Sequence, residues 1–411
     1  MKDIKNNKDA YKVLIAGILF NLTIQVLYVW SLVKDVMKSP LEQGGWGWNS
    51  QEAGLPYTLA IIFFAFGVLI GGRVQDKIGP GIVATAGGAM VGAGLLISGL
   101  VGNDPVGITI GYGVVTGLGI GFGYGSILPS CLKWFHPGRK GLIGGLVLGG
   151  FGLASVHYSF ITEKLLLSVG IQRTLLFIGI AVCIISVAAA RFIKNPPPGY
   201  SPGIPAGIKA SVVLSKDTVD FTWKEMLKTK CFYLIFILFL FSASIGLMVI
   251  GNLTRIAFVQ AGVTSAAFLI SLVAVMNALG RIAGGFSSDK IGRVNTLFIA
   301  ITLQMLNMIG FIYYQNILFL SFGFVLTGLC FGAFLAVFPA LTGDLYGLKN
   351  YGVNYGIVYL AYGFAGVAAP LTADYFYVLN GNFINTYIVC AIIMIFMIVV
   401  SFLLKKEISK I

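Results

Sequence analysis

The sequence predicts an all-helical membrane protein of twelve spanning helices in two matched groups of six. Three observations carry this. The 411 residues are 57% hydrophobic and 10% charged, a composition found in membrane proteins and foreign to soluble domains. Twelve apolar runs are each close to the 20 or so residues needed to cross a hydrocarbon layer of ~30 Å. Two short sequence echoes recur at equivalent places in the two groups.

The runs lie near 11–33, 51–72, 80–101, 106–130, 141–162, 171–193, 231–251, 264–286, 294–314, 317–342, 353–374 and 381–404. The first follows a polar N-terminus and is long enough to span, so no cleavable leader is expected. The net charge of +13 would suit nucleic acid, but its placement points elsewhere. With the N-terminus inside, 22 of the 28 basic residues fall in inner segments. That asymmetry orients both termini to the cytoplasm in a multi-pass cell (inner) membrane protein and excludes a nucleic-acid partner. Lys194–Lys230 is the one long polar stretch. Its Pro/Gly-rich start resists helix, and Phe221–Lys228 suits a short amphipathic helix. It divides the chain into bundles at 1–193 and 231–411, joined by an inner linker at 194–230.

The halves repeat. GGRVQDKIG at 71–79 follows the second run, and GGFSSDKIGR at 284–293 follows the eighth, with Asp76 and Asp289 separated by 213 residues. TGLGIG at 116–121 answers TGLCFG at 327–332. Paired six-span halves around a central site are a known transporter plan. In the repeated loop, Asp76, Lys77, Asp289, Lys290 and Arg293 are gating candidates. An aspartate there can pair with a cation or sit at a positive helix N-terminus, and such contacts can break when one face opens. Runs of glycine at Gly117, Gly119, Gly121, Gly123 and Gly125, and at Gly144, Gly145, Gly149, Gly150 and Gly152, predict close helix packing in spans four and five.

Arg281 breaks the repeat. It lies in the apolar run Phe268–Phe286, and its counterpart 213 residues earlier is Val68. A cation at membrane depth costs roughly 2.5–3.5 kcal/mol on insertion scales, and so faces a cavity or a partner. The fifteen acidic residues all fall in loops or at span ends, which leaves Arg281 without a mid-span carboxylate. Asn277, one turn earlier, can hydrogen-bond but cannot neutralise it. The missing counter-ion is therefore read as an anionic substrate held by the guanidinium fork. His157, the one histidine inside a span, is the candidate proton carrier. His136, in an inner loop, is expected to be solvated. The five cysteines are scattered, without metal spacing, so neither disulfide nor metal is expected. Nucleotide loops, nucleophile triads and cofactor motifs are missing from the sequence. The reading is of a carrier driven by gradients or exchange, without enzymatic activity or cofactor.

With Arg281 in span eight, the chain resembles the oxalate/formate antiporter group of the major facilitator superfamily, which also includes bacterial monocarboxylate transporters. The resemblance runs through KWFHPGRKGL (133–142), PPPGY (196–200), DFTWKEMLKTKCFYLIF (220–236), GLMVIGN (246–252), GRIAGGFSSDKIGR (280–293) and NYGIVYLAYG (354–363). It implies a major facilitator fold and a central carboxylate site walled by aromatic residues. By motif, the arginine of that site is Arg281, its span-four tyrosine Tyr124 and its span-one tyrosine Tyr28. Phe151, Phe331 and Tyr359 match further aromatic positions. Oxalate carriers have a second cation in span eleven, where this chain has Tyr362. Two carboxylates facing one arginine would leave a buried charge unpaired. The expectation is therefore a monomeric carrier of a small monocarboxylate of the lactate, pyruvate or formate type, coupled to a proton. The alternative is an oxalate:formate antiporter exchanging one anion for another.

Overall fold

A computed structural model describes residues 2–200, 202, 220–263 and 267–410. Helix dominates, and no strand occurs among the described residues. Ten helices are long and apolar enough to cross a membrane. One of them, Lys140–Ala190, holds two spans, because Gly170 interrupts it at φ 77°. That left-handed backbone is open to glycine at little steric cost. Span one is in two pieces, Lys2–Ile24 and Leu27–Lys38. The twelve crossings of the sequence reading are thereby accounted for.

The remaining spans are two (Ser50–Ile78), three (Pro80–Leu100), four (Pro105–Lys133), seven (Lys230–Gly251), eight (Ala267–Ile291), nine (Arg293–Phe311), ten (Ile317–Tyr346), eleven (Tyr351–Asn380) and twelve (Ile384–Ile408). Their starts follow ordinary capping chemistry. Asn49 and Glu52 form a reciprocal capping box on span two, and Asp104 accepts from Val106 and Gly107 ahead of Pro105. Span four is not uniform, since Thr109–Thr116 is wound as a π-helix.

Two compact units form. One comprises Met1–His136, Leu153–Gly203 and Leu348–Leu360, the other Pro137–Gly152, Ile204–Gly347 and Ala361–Ile411. Each unit thus takes in a helical segment from the opposite half of the sequence. In the first unit, the glycines of span four do what their spacing predicts. A Cβ at Gly117, Gly121 or Gly125 would strike the backbone of span two at Ala60, Phe64–Gly67 or Val68. In the second, span five meets span eight in the same way, with Gly145 set against the Arg281 carbonyl.

Both ends of the linker are anchored. The Lys194 carbonyl accepts from Trp134 Nε1 at 2.7 Å and Ser130 Oγ at 2.9 Å. At the far end, Phe221 N donates to the Tyr346 carbonyl at 3.1 Å. The expected helix over Phe221–Lys228 is shorter, Trp223–Met226. Thr222 caps its start, while Thr229 already caps span seven, so one turn is all that fits between the two. Hydrogen bonds from the Thr222 main chain and hydroxyl hold the Glu225 carboxyl below its usual range. His136 is buried at 6% exposure, which corrects the expectation of a solvated loop residue. Its neighbour Trp134 is also buried, pinned against the linker, so the loop lies against protein. The five cysteines are free thiols.

Candidate functional site

Span eight carries the charge. Arg281 is 4% exposed and Asn277 2% exposed. One turn apart on the same face, they bond directly, Arg281 Nε donating to Asn277 Oδ1 at 2.9 Å. Arg281 Nη1 donates to the Leu148 carbonyl of span five, also at 2.9 Å. The guanidinium carbon lies 5.8 Å from the Phe151 ring, within cation–π range. Span ten closes the group, because Gly332 lets its backbone approach the Asn277 carbonyl and the Arg281 nitrogen. Phe331, beside it, is buried, with its ring where a side chain on Gly246 of span seven would stand.

Arg281, Asn277, Phe151 and Phe331 therefore come together in one unit. Among the described residues no carboxylate pairs with Arg281. Of the five N–H donors of a guanidinium, two are used among the described residues, by the Asn277 side chain and the Leu148 carbonyl. Leu148 was invisible to sequence reasoning, because its part is played by a main-chain carbonyl that any residue would supply.

The other unit holds a cluster of rings. Tyr124 lies 5.4 Å from Phe64 and 5.2 Å from Tyr359, centroid to centroid. All three are almost fully buried. Tyr351, Tyr355 and Tyr359 continue the cluster along span eleven at four-residue spacing, each ring 5.5 Å from the next. Phe64 and Tyr355 were not singled out from sequence, since single aromatics in apolar runs are indistinguishable from core. Tyr362 is half-buried in the unit that holds Arg281, 6.3 Å from the ring of Phe239. The side chain of Tyr28 lies outside the described residues.

His157 is half-buried. It lines an apolar cavity of about 390 Å³ between spans one, five and six, with Leu19, Thr23, Tyr158, Phe177 and Ala181.

The repeated loops hold a matched pair of helix caps. Asp289 Oδ1 and Oδ2 accept from Gly141 N at 2.9 Å and Leu142 N at 2.8 Å, in the first turn of span five. Asp76 Oδ1 and Oδ2 accept from Gly352 N at 3.4 Å and Val353 N at 3.2 Å, in the first turn of span eleven. A carboxylate at a helix N-terminus satisfies orphan donors and meets the positive end of the dipole. The helix capped is in each case one far away in sequence. Asp289 also pairs with Arg293 at 2.5 Å, and Arg293 with Asp344 at 2.8 Å, while Lys140 reaches Asp344 at 3.0 Å. Lys290 is exposed, its ammonium 4.2 Å from the Phe286 ring, and Lys77 is exposed.

Comparison with known proteins bears on the family. The family model described as Major Facilitator Superfamily matches residues 13–324 and 259–410. An uncharacterized MFS-type transporter, YhjX, of Escherichia coli (strain K12) is 28% identical over 359 residues, covering 86% of this chain and 85% of that one. The oxalate:formate antiporter of Oxalobacter formigenes is 28% identical over 370 residues, covering 86% and 81%. The crystal structure of the human organic anion transporter MFSD10 (TETRAN) superposes with a TM-score of 0.73 at 14% identity, over 95% of this chain and 99% of that one. The family match spans almost the whole chain, and with the two six-span halves and their paired loop caps it leads to one statement: this multi-pass membrane protein belongs to the Major Facilitator Superfamily of transporters.

Proposed function

We propose that the protein is a secondary active transporter of small monocarboxylates, coupled to protons and working by alternating access. One observation carries this: Arg281 is a buried cation with no carboxylate partner among the described residues and with donors to spare. In a low dielectric such a group is stable when an anion completes it. A carboxylate is the anion whose two oxygens match a guanidinium fork. Asn277 and the Leu148 carbonyl hold the guanidinium in place before the substrate arrives, so little side-chain freedom is lost on binding. Phe151 and Phe331 supply apolar walls beside Arg281, and Tyr124, Tyr359 and Tyr362 belong to the proposed set. Tyr28 belongs to the same proposed set.

The name of the Oxalobacter relative favours a second reading, exchange of oxalate for formate. Tyr362 weighs against it. A dicarboxylate would bring two charges to a single arginine, while a tyrosine hydroxyl suits one charge and a neutral end. Protons are the coupling ion in this reading, with His157 as the carrier at membrane depth. The loop caps are the gate. Asp76 and Asp289 release spans eleven and five when the cytoplasmic face opens, aided by Lys77, Lys290 and Arg293. The protein works as a monomer in the cytoplasmic membrane with both termini inside.

Uptake of labelled lactate, formate and oxalate into proteoliposomes, with and without a pH gradient, tests the proposal. Saturable lactate uptake stimulated by an inward proton gradient is expected. Oxalate exchange indifferent to pH would overturn it in favour of the second reading.

A further inference from the structure

Span twelve packs along span seven, and its C-terminal end lies beside the start of that helix. The meeting point is strongly basic. The stretches 220–236 and 396–411 hold six lysines against three acids. Lys230 opens span seven, while Lys405, Lys406 and Lys410 lie at the end of span twelve, and all four are exposed. Lys230, Lys406 and Lys410 converge on one carboxylate, Glu407, which feels all three charges. Glu407 pairs with Lys410, and Lys405 donates to Asn295 Oδ1 at 3.0 Å. Among the described residues neither Lys230 nor Lys406 has an ion-pair partner. Glu225, the acid nearest in sequence to Lys230, is already engaged in the capping box of Thr222.

The orientation rule accounts for lysines on one side of a membrane, but not for their convergence from two helices. Like charges at close range repel. Lys405 and Lys406 suit the negative end of their own helix, whereas Lys230 sits in the first turn of its helix, where the dipole is positive. Such an assembly is relieved by an anion from outside. The surface beneath the lysines says which kind. Tyr233, one turn on from Lys230, is 56% exposed, and Phe402 and Leu403, one turn before Lys406, are 56% and 49% exposed. Each helix thus carries a cation at its end and a bare apolar side chain one turn deeper. Trp223, an exposed residue of the type that settles at membrane interfaces, stands on the adjoining helical turn, with the Lys224 ammonium 5.6 Å from its ring. A soluble anion would use the lysines and leave the apolar side chains bare. A phospholipid uses both.

We propose that this corner is a binding site for an anionic phospholipid. Its phosphate lies among Lys230, Lys406 and Lys410, and its acyl chains run over Tyr233, Phe402 and Leu403. Basic clusters at the ends of spanning helices attract anionic headgroups in this way. The corner is on the side proposed above to be cytoplasmic, but the site depends neither on that orientation nor on the substrate carried.

The test uses the full-length protein in proteoliposomes that contain phosphatidylglycerol or phosphatidylcholine with the same photoreactive acyl chain. Peptides from the irradiated protein are mapped. Phosphatidylglycerol is expected to label the peptides holding Tyr233 and Phe402 at least about tenfold more than phosphatidylcholine does, and the peptide at the other end of span twelve about equally. The triple variant Lys230→Gln, Lys406→Gln, Lys410→Gln should lose that preference, since each lysine is worth about fivefold. Its melting temperature in lipid-free detergent should match the wild type, because all three side chains are exposed. Equal labelling by the two lipids, or an unaltered preference in the variant, overturns the proposal. Labelling suppressed by inorganic phosphate would assign the corner to a soluble anion and overturn it as well. The wild-type comparison of the two lipids decides the matter even if the variant fails to insert.

Discussion

Asp76 and Asp289, 213 residues apart in sequence, perform the same act on different helices. Each carboxylate accepts the second and third main-chain N–H groups of a distant span, Gly352 and Val353 for one and Gly141 and Leu142 for the other. The glycines four residues earlier are matched as well. A Cβ on Gly72 would strike the Gly352 carbonyl, and one on Gly285 the Gly141 carbonyl. The latch is a small residue for close approach followed one turn later by an acid for capping, built twice.

The two latches differ in strength. Asp289 lies in a network with Arg293, Asp344 and Lys140, and its bonds from the capped main chain are shorter than those of Asp76. Loss of a cap costs about 0.5–2 kcal/mol. Asp289→Ala is therefore expected to raise the reactivity of a cysteine placed at the inner end of span five more than Asp76→Ala does at span eleven. Thiol labelling from the cytoplasmic side of oriented vesicles measures this. Equal labelling in both variants and the wild type would remove the gating role.

Arg281→Ala should abolish saturable lactate uptake while leaving a folded, monodisperse protein. Removing one partner of a buried charged pair costs about 2–5 kcal/mol, more than tenfold in affinity. Arg281→Lys is expected to fail nearly as badly, since an ammonium cannot bond Asn277 and Leu148 and still offer a fork to the substrate. Lactate-dependent thermal stabilisation, present in the wild type and lost in both variants, reads binding directly.

Gly145 and Gly149 sit one turn apart on span five, yet should respond differently to alanine. A Cβ on Gly145 would collide with the Arg281 carbonyl, whereas the nearest atom to one on Gly149 is 3.5 Å away, ordinary contact. Overpacking costs about 1–3 kcal/mol. Gly145→Ala should lower both the melting temperature and lactate affinity, and Gly149→Ala should leave the melting temperature within error. Thermal denaturation of the purified variants checks the contrast.

Tyr362→Lys should move preference towards dicarboxylates by placing a second cation opposite a second charge. The expected result is a rise in the oxalate-to-lactate uptake ratio of at least about tenfold, one well-placed ion pair on the affinity scale. An unaltered ratio would mean that this ring, which lies against Phe239, stays clear of the substrate.

His157→Gln should preserve lactate binding and abolish stimulation by a pH gradient. Counterflow measured with lactate on both sides, which needs no net proton movement, should survive. Gradient-driven uptake equal to that of the wild type would assign the proton to another route.

Much of this architecture was legible in the linear chain. Apolar runs separated by short charged loops can only be spans, because backbone amides in hydrocarbon must be satisfied within each helix. The unpaired Arg281 was visible for the same reason, since a charge without a partner stands out where charges are expensive. Span-four glycines announced a tight helix contact, and the structure places that contact on span two. The break in span one left no such trace, because nothing in NLTIQVLYVW forbids a continuous helix. The Thr23 and Val26 carbonyls on either side of it accept from tyrosine hydroxyls more than eighty residues away.

What the sequence determined alone was therefore set by the solvent: how many spans there are, and that one cation lies at a depth where the sequence offers no acid. What only the tertiary structure decided is which distant groups meet. It placed the Leu148 carbonyl on Arg281 and gave Asp289 span five to cap rather than the helix that follows it. Hydropathy acts on each residue where it stands, and so can be read along the chain. Hydrogen bonds between helices depend on depth and rotation to within an ångström or two, and only packing supplies that.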